Sequence, residues 1–170
     1  MFSKTSFFII VFLFSFSSAF CQVTDLTEKQ PVTYEGIEYG YLIKNEQTKT
    51  AKGEEYSRFE ITLFATNKSG CTKLYAQRTT YRSDDYANLL ATFNCSNANG
   101  KRLTSKSGTV KARDFYVPVK VKENGKEVTQ TVQAGYMFRN GETIKTNIIV
   151  LVPKDEKPVL QCSVNNLQEL

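Results

Sequence analysis

The stretch VKARDFYVPVKVKENGKEVTQTVQAGYMFRNGETIKTNIIVLV, residues 110–152, decides the fold. Phe115, Val117, Val119 and Val121 recur at every second position, the period of a strand with one apolar face. Glu123-Asn124-Gly125-Lys126 follows. Asn-Gly between two such runs is the strongest short-range hairpin signal, because both residues tolerate the positive φ that the turn demands. Val128, Val132, Ala134, Tyr136 and Phe138 continue the pattern on the return strand. A second Asn-Gly, Asn140-Gly141, predicts another hairpin into Thr143 to Val152. Ile148 to Val152 is apolar at successive positions, which predicts a central strand. Pro153 and Pro158 end regular structure, and Val159 to Val164 reads as a last, edge strand.

The same period runs upstream. Phe59, Ile61, Leu63 and Ala65 share one face of a strand over Tyr56 to Thr66; Glu60, Thr62 and Thr66 share the other, where Phe64 interrupts the polar set. Val32 to Lys44 predicts one or two strands, with Gly36 and Gly40 marking a bend or bulge, and Lys49 to Glu55 a polar loop. Asn67-Lys68-Ser69-Gly70 is a turn, and Cys71 to Arg82 a strand leaving through Ser83-Asp84-Asp85. Tyr86 to Cys95 supports a short helix capped by Ser83 or a strand. The alternation of Leu89, Ala91, Phe93 and Cys95 favours the strand. Seven to eight strands without a long helical pattern predict an all-β fold, an immunoglobulin-like antiparallel β-sandwich, with a jelly roll or partly open β-barrel as the alternative.

The N-terminus carries a different signal. Lys4 is followed by an apolar run, Phe7 to Phe14, and then by Ser15, Ser17, Ser18 and Ala19. This charged, apolar, small-residue order is that of a secretory signal peptide, and the run is shorter than the roughly 20 residues a spanning helix needs. Cleavage before Gln22 leaves residues 1–21 as the signal, 22–31 as a flexible lead-in and 32–170 as one domain. Acylation of Cys21 as a lipid anchor is the competing reading, opposed by the bulky Phe20 before it. The expected location is secreted or periplasmic, with a bacterial envelope favoured.

Composition narrows the chemistry. The formal net charge is +5, spread along the chain rather than gathered on one face, which argues against nucleic acid as a partner. The chain has no histidine, the commonest general base and transition-metal ligand. Ser105-Lys106 lacks the strand-to-helix elbow of a nucleophile. Asp84-Asp85, with Tyr81, Arg82 and Tyr86, is the one candidate surface binding cluster. Two adjacent carboxylates fall short of the 6–8 oxygens that calcium takes, so no metal or cofactor is expected. Asn67-Lys68-Ser69 and Asn94-Cys95-Ser96 match the glycosylation acceptor pattern.

Cys71 and Cys95 are expected to form a disulfide. They lie symmetrically about residue 83, so a hairpin turning at Arg82-Ser83-Asp84-Asp85 would set them opposite each other. Such a bridge would stabilise the fold by roughly 3.5 kcal/mol in the chain-entropy model. Cys162 is then expected to be dispensable for folding. These features together predict no enzyme, but an exported noncatalytic sandwich that binds a protein or glycan partner outside the cytoplasm. The alternatives are a carbohydrate-binding module that stacks sugars on a row of exposed tyrosines, nine of which are present, and an enzyme with an unusual histidine-free site.

Overall fold

The computed structural model describes residues 22–51, 53–77, 87–101, 103 and 107–170. All regular structure among them is β. The strands are β1 (Gln22–Leu26), β2 (Val32–Tyr34), β3 (Ile37–Ala51), β4 (Glu54–Asn67), β5 (Lys73–Ala76), β6 (Leu89–Ser96), β7 (Gly108–Lys111), β8 (Arg113–Glu123), β9 (Lys126–Phe138), β10 (Thr143–Pro153) and β11 (Val159–Val164). They form three antiparallel sheets: β1-β11-β6-β7, β10-β4-β3-β2 and β5-β9-β8. The expected seven to eight strands are fewer than these eleven, because β1, β2, β5 and β7 are short pieces without a full apolar period of their own.

The first two sheets pack their inner faces together, as in a β-sandwich. Phe59, Ile61, Leu63 and Ala65 of β4 are buried, as their spacing predicts, beside Ile37, Tyr39 and Tyr41 of β3 and Val150 and Val152 of β10. Opposite them lie Ala91, Phe93 and Cys95 of β6 and Leu160, Cys162 and Val164 of β11. At one edge the sheets touch. Thr146 donates to the Thr109 carbonyl at 2.7 Å, and a side chain at Gly108 would collide with Leu63. Phe64, the odd apolar residue on the polar side of β4, lays its ring over Gly40 of β3. Gly40 is therefore a space-giving position rather than a bulge, and the bulge falls between Ile43 and Asn45.

Several elements differ from the sequence reading. The lead-in 22–31 contains β1, which pairs with β11 from Gln22↔Val164 to Leu26↔Leu160 and buries Leu26. With β1 in place, β11 is an interior strand rather than an edge. The polar loop Lys49 to Glu55 is mostly strand, since β3 and β4 pair as far as Ala51↔Glu54. β10 lies at the edge of its sheet, so Ile148 to Val152 is not central. The Asn140-Gly141 turn does form, with Glu142 N–H donating to the Arg139 carbonyl at 3.1 Å. Its two strands then part, β9 to the third sheet and β10 to the second.

Asn67 holds that parting in place. Its backbone exchanges hydrogen bonds with the turn, Asn67 N to the Glu142 carbonyl at 3.0 Å and Gly141 N to the Asn67 carbonyl at 2.8 Å. Its fully buried amide donates to the carbonyls of Cys71, at 2.9 Å, and Phe138, at 2.8 Å. The amide oxygen accepts from the Ser69 N–H and hydroxyl. One residue thereby joins the second sheet to the third.

Candidate functional site

The third sheet carries the feature of most functional interest. Asn124 and Gly125 turn β8 into β9 with φ of 51° and 78°, the left-handed pair that the Asn-Gly signal predicts. The ladder runs from Arg113↔Met137 to Glu123↔Lys126, with a bulge between Phe115 and Tyr116 that leaves Ala134 unmatched. β5 flanks β9 only from Gly135 to Phe138. Gly135 permits that approach, because a Cβ there would stand 2.2 Å from the Tyr75 carbonyl oxygen at a φ of 155°. Beyond Gly135 no described strand flanks the pair on either edge. From Tyr116 and Gln133 to the turn, the hairpin is a two-stranded arm with no described strand beside it.

The two faces of the arm differ. Val117↔Val132, Val119↔Gln130 and Val121↔Val128 share one face, because residues directly opposite in an antiparallel pair point the same way. Tyr116, Pro118, Lys120 and Lys122 share the other with Glu127, Thr129, Thr131 and Gln133. On that polar face Lys120 pairs with Glu127 at 3.7 Å, and Gln133 donates to Asp114 at 3.2 Å. The valines cover one another in part, yet Val128 and Val132 remain 39% and 40% exposed. A lone two-stranded hairpin is marginally stable in water, and an exposed apolar row adds to its cost. The arm is thus stiffened by cross-strand valine pairs and a favourable turn, and it presents a bare apolar stripe.

A second bare apolar surface lies on the outer face of the β10-β4-β3-β2 sheet. Ile149 and Leu151 of β10 are 58% and 53% exposed. Their cross-strand partners on β4 are Glu60 and Arg58, which pair with each other. Lys154 and Glu55 form a further ion pair nearby. The Glu54-Glu55 pair is therefore divided between Tyr56, which donates to Glu54, and Lys154, which holds Glu55.

The residues singled out from sequence fare unequally. Tyr81, Arg82, Asp84, Asp85 and Tyr86 lie outside the described residues, as do Ser105-Lys106, Cys21 and the signal segment. The Cys71–Cys95 disulfide is a correction: both are free cysteines, Cys71 exposed and Cys95 buried. The register argument assumed that the strands flanking residue 83 pair with each other. Instead β5 pairs with β9 and β6 pairs with β11 and β7, so the two cysteines sit with different sheets. Burial pushes the Cys95 thiol up to about 11. Cys162, expected to be dispensable, is fully buried.

Tyr39, Tyr41, Tyr75 and Tyr136 belong to the core, and only Tyr116 is largely exposed among the described tyrosines. The described tyrosines therefore form no stacking row. Asn67, the first sequon asparagine, is consumed by its four side-chain hydrogen bonds, whereas Asn94 accepts from the Ser107 hydroxyl on the outer face of β6. Among the described residues no group of three or more Cys, Asp or Glu side chains is placed to hold a metal ion. No described helix is long and apolar enough to cross a membrane. Neither surface was singled out from sequence, although the valine period and the doubly apolar Ile148 to Val152 were both visible there. Comparison with protein-family models, curated proteins and solved structures gave no match.

Proposed function

We propose that this chain is an exported, noncatalytic β-sandwich protein that works by binding, with the β8–β9 arm as its recognition element. The observation that carries the reading is the bare valine stripe on a hairpin that no described strand flanks from Tyr116 and Gln133 to its turn. Exposed apolar rows on a soluble chain are costly unless something covers them. The charged, apolar, small-residue order of residues 1–21 supports export to a secreted or periplasmic location. Removal of that segment would leave Gln22, the first residue of β1, at the start of the mature chain.

The test is an arm-shortened variant in which Asn-Gly replaces residues 117–132. Its thermal midpoint should stay close to that of the parent, because the deleted segment pairs with no described strand outside the arm. Partners captured by the mature parent from an envelope or extracellular fraction should be lost with the variant. Equal capture by both would remove the arm from the account. Turnover of an ester, glycoside or peptide panel by the purified parent would remove the noncatalytic reading.

A further inference from the structure

We infer that a second copy of this chain is what the arm grasps: the valine face of each arm lies on the outer face of its partner's β10-β4-β3-β2 sheet, over Ile149 and Leu151, in a reciprocal two-fold pair. The inference rests on reading the arm as the recognition element.

Two bare apolar surfaces occur on one chain, and they belong to different sheets. One is a narrow ribbon and the other a sheet face, and sheet faces with β-branched side chains pack on each other at about 10 Å. The sequence of β10 points the same way. A strand apolar on both sides reads as covered on both sides, yet only the side bearing Val150 and Val152 is covered here. The valine face of the arm is an apolar, β-branched surface of the kind that can cover Ile149 and Leu151.

Area favours reciprocity. A strand spacing of about 4.8 Å and a rise of about 3.3 Å per residue give the arm face, from Phe115 to Glu123, a footprint of roughly 250 Å². A stable complex buries about 800 Å² on each partner, so one such contact is too small. In a two-fold pair each copy contributes both an arm and a patch, about 500 Å² a side and about 1,000 Å² in all, which reaches the lower bound for a specific interface.

Charge does not oppose the contact. Arg58 and Glu60 beside the patch already pair with each other, and Lys120 and Glu127 pair on the far side of the arm. Lys44, beside Glu60 and Ile149, is the charge that must stay in water at the margin of the contact. On the β8 side of the arm, face packing is also favoured over edge pairing. β8 is the outer strand of its sheet, and Pro118 withholds one backbone donor from it.

Sedimentation velocity and light scattering on the mature chain test this. The parent should be a dimer at micromolar concentration. An arm variant, Val128→Lys with Val132→Lys, and a patch variant, Ile149→Lys with Leu151→Lys, should each be monomeric with the far-UV dichroism of the parent. Mixed together, they retain one intact arm-to-patch contact. The mixture should form a heterodimer at least about tenfold weaker than the parent dimer. A parent that stays monomeric to about 100 μM, a dimer indifferent to the patch variant, or open-ended assembly would each overturn the inference. If the parent is monomeric but the arm-shortened variant still loses a foreign partner, the second copy fails and the arm survives. Arm variants without effect in either assay sink both.

Discussion

At the scale of single residues, Asn67 shows how a short polar side chain can decide topology. It ends β4 with its amide enclosed, and its hydrogen bonds reach Ser69, Cys71 and Phe138. Asn67→Asp keeps the shape but turns a donor into an acceptor facing two carbonyl oxygens. The expected cost is about 3 kcal/mol or more, the range for leaving buried polar groups unpaired and burying a charge. Chemical denaturation reads it directly, and a loss below about 1 kcal/mol would mean that the site relaxes. The sequence displayed this asparagine as a modification acceptor or turn residue. Its real role depends on Phe138, far along the chain, and no local pattern encodes such a partner.

Among the elements, legibility followed the strength of the local signal. The arm was readable because a period of two and an Asn-Gly turn agree over a long stretch, and its turn and ladder form as that pattern predicts. β1 was not, because Gln22-Val23-Thr24-Asp25-Leu26 buries one apolar side chain, Leu26, and depends on β11 for its pairing. Missing β1 made β11 look like an edge. β10 misled in the opposite way, since alternation reports how apolar a face is and not which molecule covers it. A chain starting at Thr27 tests the weight of β1. It uncovers the outer edge of β11 and loses Leu26 from the core. The expected loss is about 2–4 kcal/mol, as for large-to-small changes at buried sites. An unchanged denaturation midpoint would make β1 ornamental.

The molecule as a whole should weaken in alkali. Burial raises the Cys95 thiol from 9.0 to about 11. Burial, followed by neighbouring ionisable groups, holds the Tyr39 and Tyr75 phenols far above their ordinary 10.0. Each group keeps its proton in the folded chain after the unfolded chain has begun to release it. The native state then binds more protons, so stability falls as pH rises. The contribution is complete below about pH 9, declines from there through Cys95, and declines more steeply above about pH 10 as the tyrosines join. Denaturation midpoints at about pH 8, 9.5 and 10.5 should show this fall, and Tyr39→Phe should flatten its upper part. A level profile would contradict the burial of these groups.

The pairing of β1 with β11 sets how the folded chain answers to force. Gln22 stands opposite Val164, so the beginning of the described chain and the end of its last strand lie side by side. The short tail beyond is itself tied to β5, through Ala76 N to the Gln168 carbonyl and Leu170 N to the Leu74 carbonyl. Once that tail is peeled away, tension drawn through the two ends acts across the β1–β11 ladder from one end. It opens the rungs in succession, as a zipper opens, rather than loading them all at once. A sheet held together by its buried core therefore offers little resistance to being pulled apart by its ends.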